Sequence, residues 1–482
     1  MGILSNLEPK NVFYYFEQLC SVPHGSGNTK AVSDLCVAFA AEHGLRWRQD
    51  AVNNVVIWKD ASAGYEAAAP VILQGHLDMV CAKTADCAKD MAREPIDLMT
   101  DGAYVWADKT SLGGDDGVAV AMVLAILADD ALPHPPIEAV FTVDEEVGMD
   151  GATALDCSDL KGRRLLNIDS EDEGDFTVSC AGGVRVDSLL PATRRPLDGQ
   201  RVYAVTLSGA LGGHSGVEID KGRANAAHQL ARALYMALDV CPSLRLADLR
   251  GGQFDNVICR ACAALVAVDG GEAEALEGFI RAFAATLKDE FAATEPELTL
   301  TCEPADADAA VSAADTARLL RTLFLLPQGV QEMSFDFPGL VRTSLNLGVI
   351  ALEEEGLRYT CSVRSAVASQ KERLRRLLRV LAESAGGTVS ERGDYPGWAY
   401  RRDSALQALV LDAYRDLTGK EGHVSATHGG LECGLLIDKL PGLDALSLGP
   451  NLSDVHSPRE RLDVASAART YALVCEVLRR CK

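Results

Sequence analysis

Apolar residues recur along this chain with two different periods, and the switches between them mark out the elements. In "PKNVFYYFEQLC" apolar side chains fall three and four apart behind Pro9, a residue suited to the first turn of a helix. "NTKAVSDLCVAFAAEHG" repeats the helical spacing and stops at a glycine, a common helix terminator. Short continuous apolar runs follow: "NVVIW", "PVILQG", "IEAVFTV" and "RLLNI", with the Ala-rich helix "GVAVAMVLAILAD" among them. Unbroken apolar strands alternating with helices predict an α/β sheet covered on both faces.

The pattern changes near residue 184. "RVYAVTLSG", helix "GRANAAHQLARALYMAL", strand "NVICRACAALVAV", helix "GEAEALEGFIRAFAATLKDEF" and strand "ELTLTCEPA" predict a β-α-β-β-α-β-like unit. From about residue 311 a similar order returns, with helix "SAADTARLLRTLFLL", strands "TSLNLGVIAL" and "LRYTCSVRSA", and helix "QKERLRRLLRVLAESAG". After "GDYPGW" the first pattern resumes and runs to the closing helix "VASAARTYALVCEVLRRC". The expected organisation is a split α/β domain, residues 1–183 and 391–482, carrying an inserted α+β domain of two such units at 184–390.

Composition narrows the function classes. The 482 residues are 48% hydrophobic and 24% charged, with a formal net charge of −23. So acidic a chain argues against nucleic acid or an anionic membrane as a partner. The start carries no basic segment followed by an apolar run, and no stretch approaches the ~20 apolar residues of a membrane span. The fourteen cysteines lie mostly in apolar runs and are expected to be buried, reduced, cytoplasmic thiols. Cys259 and Cys262 form a C-x-x-C with no second pair to complete a zinc site, so they are expected to be structural.

Candidate chemistry collects where apolar runs end. "VILQGHLDMV" supplies His76 and Asp78, which point the same way in an extended chain. A carboxylate beside a metal-binding histidine can fix its tautomer, although His-x-Asp alone also fits an ordinary core histidine. "SLGGDDGVAV" puts Asp115 and Asp116 in a glycine turn before a helix, where an N-cap aspartate would also be at home. "FTVDEEVG" supplies Glu145 and Glu146, "LLNIDSEDEG" supplies Asp169, and "SLGPNLSDVHSP" supplies His456. Open α/β sheets bind ligands beyond the carboxyl ends of their strands. Two histidines and several carboxylates converging there would repel one another without a cation. Mixed imidazole and carboxylate ligands suit zinc, or else manganese or cobalt.

The segments "QGHLDMV", "GGDDG", "DEEVGMDGA", "NIDSEDEG", "CAGG", "GGHSG" and "HSP" resemble, in order, the motifs of the M20 metallopeptidases. "THGGLECG" and the doubled insert narrow the resemblance to the aminoacyl-histidine dipeptidase (Xaa-His, or cytosolic non-specific dipeptidase) group. It implies a zinc-exopeptidase-like catalytic domain with an inserted lid or dimerisation domain of two ferredoxin-like units. It also implies two divalent ions, zinc first, held by His76 and Asp169 on one side and Glu146 and His456 on the other, with Asp115 bridging. The peptide bond after that aspartate is usually cis in the family, so Asp115–Asp116 is expected to be cis. By the same resemblance Glu145 would be the general base, Asp78 would orient His76, and His214 of "LGGHSGVEID" would stabilise the developing oxyanion. Asn256 and Arg364 would hold the substrate, Arg364 by two parallel hydrogen bonds to a dipeptide's free carboxylate. The implied activity is hydrolysis of unblocked dipeptides, with deacylation of N-acyl amino acids by an M20-like amidohydrolase as the alternative. A non-catalytic binding relative is disfavoured by the complete ligand set. The insert could mediate a homodimer or cap the site within one chain. Three departures stand out: Arg459 where the group often has an acid after "HSP", Asp116 where asparagine is frequent, and Gly429 in place of an alanine. None removes a ligand.

Overall fold

A computed structural model describes residues 2–482. The chain divides into two compact units. One comprises Met1–Cys180, Tyr400–Ala426 and Leu431–Lys482; the other comprises Ala181–Ala399 and the four residues Thr427–Gly430. The expected cuts after residues 183 and 390 compare with cuts after 180 and 399, and the "THGG" stretch groups with the second unit.

The first unit is built on an eight-stranded sheet. Its four middle strands, Ile137–Thr142, Val71–His76, Arg164–Asn167 and Asp444–Ser447, are parallel neighbours in that order. Strands Arg46–Gln49 and Val55–Lys59 extend one side antiparallel, and Asp175–Cys180 and His423–Thr427 extend the other. Val71–His76 and Ile137–Thr142 are buried along their whole length, which explains their unbroken apolar character. Helix Gly114–Ala128 packs on Val71–His76, and every residue from Val118 to Leu127 is at most 1% exposed. A helix so enclosed can be apolar all round. A small sheet joins Leu98–Thr100, Tyr104–Ala107, Arg461–Asp463 and Leu452–Ser453. It anchors both ends of the loop that carries His456.

The second unit holds a continuous antiparallel sheet of nine strands. Strands Arg201–Ser208, Arg245–Gly251, Cys262–Val268 and Thr299–Ala305 pair in the order fourth, first, third, second. Strands Gly182–Pro191, Val341–Leu352, Gly356–Ser365 and Thr388–Tyr395 pair in the same 4-1-3-2 order. The two β-α-β-β-α-β units are therefore nested: the first is inserted after the opening strand of the second. Arg250 and Gly251 pair with Ala351 and Ile350 and fuse the two sheets. Helices Ala226–Ala237, Ala273–Glu290, Ala313–Leu325 and Ala368–Ser384 cover the sheet with Leu230 and Leu234, Leu276 and Ile280, Leu319 and Leu323, and Leu374 and Leu378. These pairs fall at the helical spacing the sequence shows. All fourteen cysteines are free thiols and most are buried, Cys259 and Cys262 among them.

Candidate metal centre

The carboxyl ends of three adjacent parallel strands deliver His76, Glu145, Glu146 and Asp169. His76 is the last residue of its strand and is 1% exposed. Its Nδ1 lies 3.0 Å from the Asp78 carbonyl oxygen, to which it donates. In the neutral ring that bond keeps the proton on Nδ1 and leaves Nε2 as the ligand atom. Nε2 stands 3.1 Å from Asp115 Oδ1 and 3.8 Å from Asp169 Oδ1. The other oxygen of Asp115 lies 3.2 Å from His456 Nε2. One carboxylate thus faces two imidazoles, one oxygen to each. His456 Nε2 is also 2.8 Å from Glu146 Oε1.

Local backbone explains how these side chains reach one place. Asp144 adopts a left-handed φ of 55° and sends its side chain to the Gly27 amide at 2.6 Å. The next two amides, of Glu145 and Glu146, donate to the Asp78 carboxylate at 3.1 and 3.4 Å, and Ser26 Oγ adds a bond at 2.8 Å. Asp78 therefore anchors the turn bearing both glutamates, while its carboxylate stands 3.5 Å from the His76 ring. The Asp115–Asp116 peptide is cis. Asp116 accepts a bond from the His76 amide at 3.0 Å, and Gly75 is required there because a Cβ would lie 2.5 Å from Asp116 Oδ2.

The electrostatics describe a site short of positive charge. Burial, with Glu146 and other acids nearby, pushes the Glu145 carboxyl up to about 8, and burial lifts Asp116 and Asp169 well above the carboxylate range. Hydrogen bonds to Asp115 and Glu146 raise His456 to about 10. Burial disfavours the charged form of His76, but Asp115 and Asp78 overcome it and hold the ring well above its ordinary value. Asp169 Oδ2 is buried with no hydrogen-bond partner, an unfavourable state for a carboxylate oxygen unless a cation meets it. Two donor groups among the described residues have ligand atoms within 4.8 Å of one another: His76, Asp115 and Glu146, and His76, Asp116 and Asp169. Nitrogen and oxygen donors without thiolate fit zinc, manganese or cobalt.

The second unit gathers a different set. His214 Nδ1 accepts from the amides of Gly216 and Val217, both at 3.3 Å, which leaves Nε2–H as a donor. Burial and the Arg364 charge lower its pKa, so the ring is neutral. Gly216 lies between His214 and Arg364: a Cβ there would be 2.8 Å from His214 Cε1 and 3.4 Å from Arg364 Cζ. Arg364 is 8% exposed; Nη1 bonds the Tyr395 hydroxyl at 3.2 Å and Nε has no partner. Asn256 joins the same loop system through its carbonyl, which accepts from the Ser215 amide at 2.8 Å. His428, not singled out from sequence, is buried with Nε2 2.7 Å from Ser344 Oγ, and Ser344 is the cross-strand partner of Arg364. Its Nδ1 has no partner, and burial beside Arg364 lowers its pKa to about 3.

Two further acids of the first unit were not singled out either. Glu432, inside the quoted "GGLECG", is fully buried and accepts from Gln74 Nε2 and Thr142 Oγ1, both at 2.6 Å. Gln74 in turn accepts from Asn167 at 2.6 Å, so one polar layer ties together the three strands that lead to His76, Glu145 and Asp169. Glu460 holds the Asp115 turn through its amides. Arg459 is exposed and paired with Asp454 at 3.3 Å.

The family model of peptidase family M20/M25/M40 matches residues 72–480, a span that contains every residue of the cluster. This chain belongs to that family. It is 36% identical over 481 residues to the cytosol non-specific dipeptidase of Escherichia coli (strain K12), with 99% of each chain covered. The crystal structure of aminoacylhistidine dipeptidase from Vibrio alginolyticus is likewise 36% identical and superposes with a TM-score of 0.92 over 99% of this chain and 98% of that one. A tripeptidase from Staphylococcus aureus, 16% identical with a TM-score of 0.60 over 100% and 99% of the two chains, shares the fold. No helix among the described residues is long and apolar enough to cross a membrane.

Proposed function

We propose that this M20 peptidase hydrolyses the peptide bond of unblocked dipeptides, of the Xaa-His type or more broadly, using two divalent ions. The observation that carries the reading is the Asp115 carboxylate, with one oxygen on His76 and the other on His456. His76 and Asp169 would hold one ion, Glu146 and His456 the other, and Asp115 both; zinc suits these donors first, then manganese or cobalt. Such ions, when bound, make water a stronger acid and polarise a carbonyl.

The chain's own groups supply the rest. Glu145 is the remaining carboxylate of the turn. Its high proton affinity comes from burial and neighbouring acids, and it falls once cations balance them. Ionised Glu145 takes the proton of the attacking water and passes it to the leaving amine. Asp78 fixes the direction of that carboxylate by holding the amides of Glu145 and Glu146. Donors of the second unit have the chemistry to meet a dipeptide's carbonyl and its free carboxylate. His214 Nε2–H suits the oxyanion that develops from the carbonyl, and Arg364, with Asn256 in the same loop system, suits the free carboxylate. The printed names of the Escherichia coli and Vibrio relatives support a dipeptide substrate, and the former supports a cytoplasmic location.

A substrate panel tests this. Protein loaded with Zn, Mn or Co should cleave Xaa-His and other unblocked dipeptides, and chelation should abolish the activity. Cleavage of N-acyl amino acids with no dipeptide turnover would replace this reading with the amidohydrolase one.

A further inference from the structure

Three of the five ligand candidates leave the ends of sheet strands, where strand register fixes their spacing. Asp115 and His456 do not. Asp115 sits in a glycine turn with non-helical dihedral angles, and His456 sits in a loop at a left-handed φ of 59°. Nonetheless their side chains meet at 3.2 Å, and no strand pairing fixes that distance.

Glu460 spans the gap. It lies four residues beyond His456, at the foot of the same loop, and is 3% exposed. Its Oε2 accepts from the amides of Leu112 at 2.8 Å and Gly113 at 3.2 Å. Its Oε1 accepts from Gly114 at 2.8 Å and Asp115 at 3.4 Å. Four successive amides, the last that of Asp115 itself, converge on one carboxylate. The turn can wrap so closely only because Gly113 accepts φ 70° and Gly114 has no Cβ, which would otherwise lie 2.7 Å from Leu452 Cδ2 and 3.2 Å from Glu460 Oε1. Four amide bonds to one carboxylate tie the turn directly to the foot of the loop.

We propose that Glu460 is a positioning residue for the metal centre: it fixes Asp115 against His456 and so sets the affinity of the ion that those two share with Glu146. The inference rests on the two-ion reading above. It assigns the two ions different dependence on Glu460. The ion held by His76 and Asp169 rests on strands Val71–His76 and Arg164–Asn167, and it keeps most of its support without Glu460. The ion held by Glu146 and His456 loses the alignment of two of its three ligands. Residues that orient metal ligands are commonly worth 10–100-fold in metal affinity.

Glu460→Gln is the primary variant: it preserves shape but turns an amide NH2 toward two of the four N–H groups. Glu138→Gln is the control. Glu138 is also 3% exposed and accepts from the amides of Lys161 and Gly162, both at 2.9 Å, but its strand residue lies at the end of the sheet away from the cluster. Metal content after dialysis and Co2+ titration followed by visible absorption read the two sites, and amide hydrogen exchange in metal-free protein reads the 112–115 turn. The expected result is two ions in wild type and in Glu138→Gln. In Glu460→Gln the ion of His76 and Asp169 should weaken only slightly and the second about 10–100-fold, with faster exchange at residues 112–115. Two ions bound as tightly as in wild type, or equal weakening of both, overturns the proposal. Fewer than two ions in wild type overturns instead the two-ion reading beneath it. If Glu460→Gln does not fold, Glu460→Asp, which is too short to reach all four amides, is read against the same outcomes.

Discussion

Replacing Asp78 by asparagine separates its role as an anchor from a direct bond to His76. The carboxylate accepts from Ser26 Oγ and from the amides of Glu145 and Glu146, and it stands 3.5 Å from the imidazole, whose proton goes to the Asp78 carbonyl instead. Burial disfavours its charge, yet the nearby His76 charge and the bonds from Ser26 and Glu145 hold its pKa below the usual carboxylate value, so it is ionised at neutral pH. In Asp78→Asn the amide oxygen is best kept on the Glu145 side. The NH2 then faces Ser26, whose hydroxyl can turn to accept it, and the Glu146 amide, which cannot. One bond is lost and two lose their ionic character. A hydrogen bond to a charged group is worth about 1.5–3 kcal/mol, so misplacement of the glutamate turn should cost roughly that much, or about 10–100-fold in metal affinity. The His76 tautomer, set by a backbone carbonyl, should be unaffected. Competition against a chromogenic chelator measures the affinity, and thermal unfolding of the metal-free protein separates it from global stability. Metal affinity within twofold of wild type would refute the reasoning.

Two further outcomes are expected. Glu145→Gln should keep both ions while turnover falls by about 10²–10⁴-fold, the usual worth of a general base; loss of metal would mean that the roles of Glu145 and Glu146 are exchanged. Metal-free protein should lose stability as pH rises from 7 to 10. Glu145 and His456 have folded pKa values raised to about 8 and 10, so their stabilisation is full below their unfolded values and is lost as pH rises through the folded ones. Asp115, held low, and His428, near 3, have finished titrating below this window; a melting temperature that is flat or rises from pH 7 to 10 would refute the assignment.

What the sequence made legible follows from range. Helices such as Ala273–Glu290 and buried strands such as Val71–His76 declare themselves through local periodicity. Strand Arg245–Gly251 does not, because a register shift between Leu246 and Asp248 breaks its alternation and three charged residues dilute it. The nesting of the second unit was hidden for another reason. Gly182–Pro191 finds its partner at Gly356–Ser365, and no local pattern records a pairing across such a separation. The cluster itself was visible because polar residues at the ends of apolar runs are conspicuous. Glu460 was not, because "SPRERLD" has the look of a solvated charged loop and only the distant amides of residues 112–115 make burial of that acid favourable.

The three consecutive acids Asp144, Glu145 and Glu146 show how tertiary contacts resolve what local repulsion forbids. The carboxylates go different ways: Asp144 closes on the Gly27 amide and Glu146 reaches His456, which leaves Glu145 for the proton-carrying role proposed above. The left-handed turn at Asp144 makes them diverge, and Asp78 pins the two following amides from the neighbouring strand end. With no cation, the charge that remains is balanced by protons on His76 and His456, the same nitrogens that would otherwise ligate metal. Metal and proton therefore compete for one set of atoms, and affinity for the first must rise as the second is removed. In the proposed reading the density of acid at this turn suits a centre that exchanges protons for divalent ions, and Glu145 would be the carboxylate kept out of the exchange to handle the proton of the reaction.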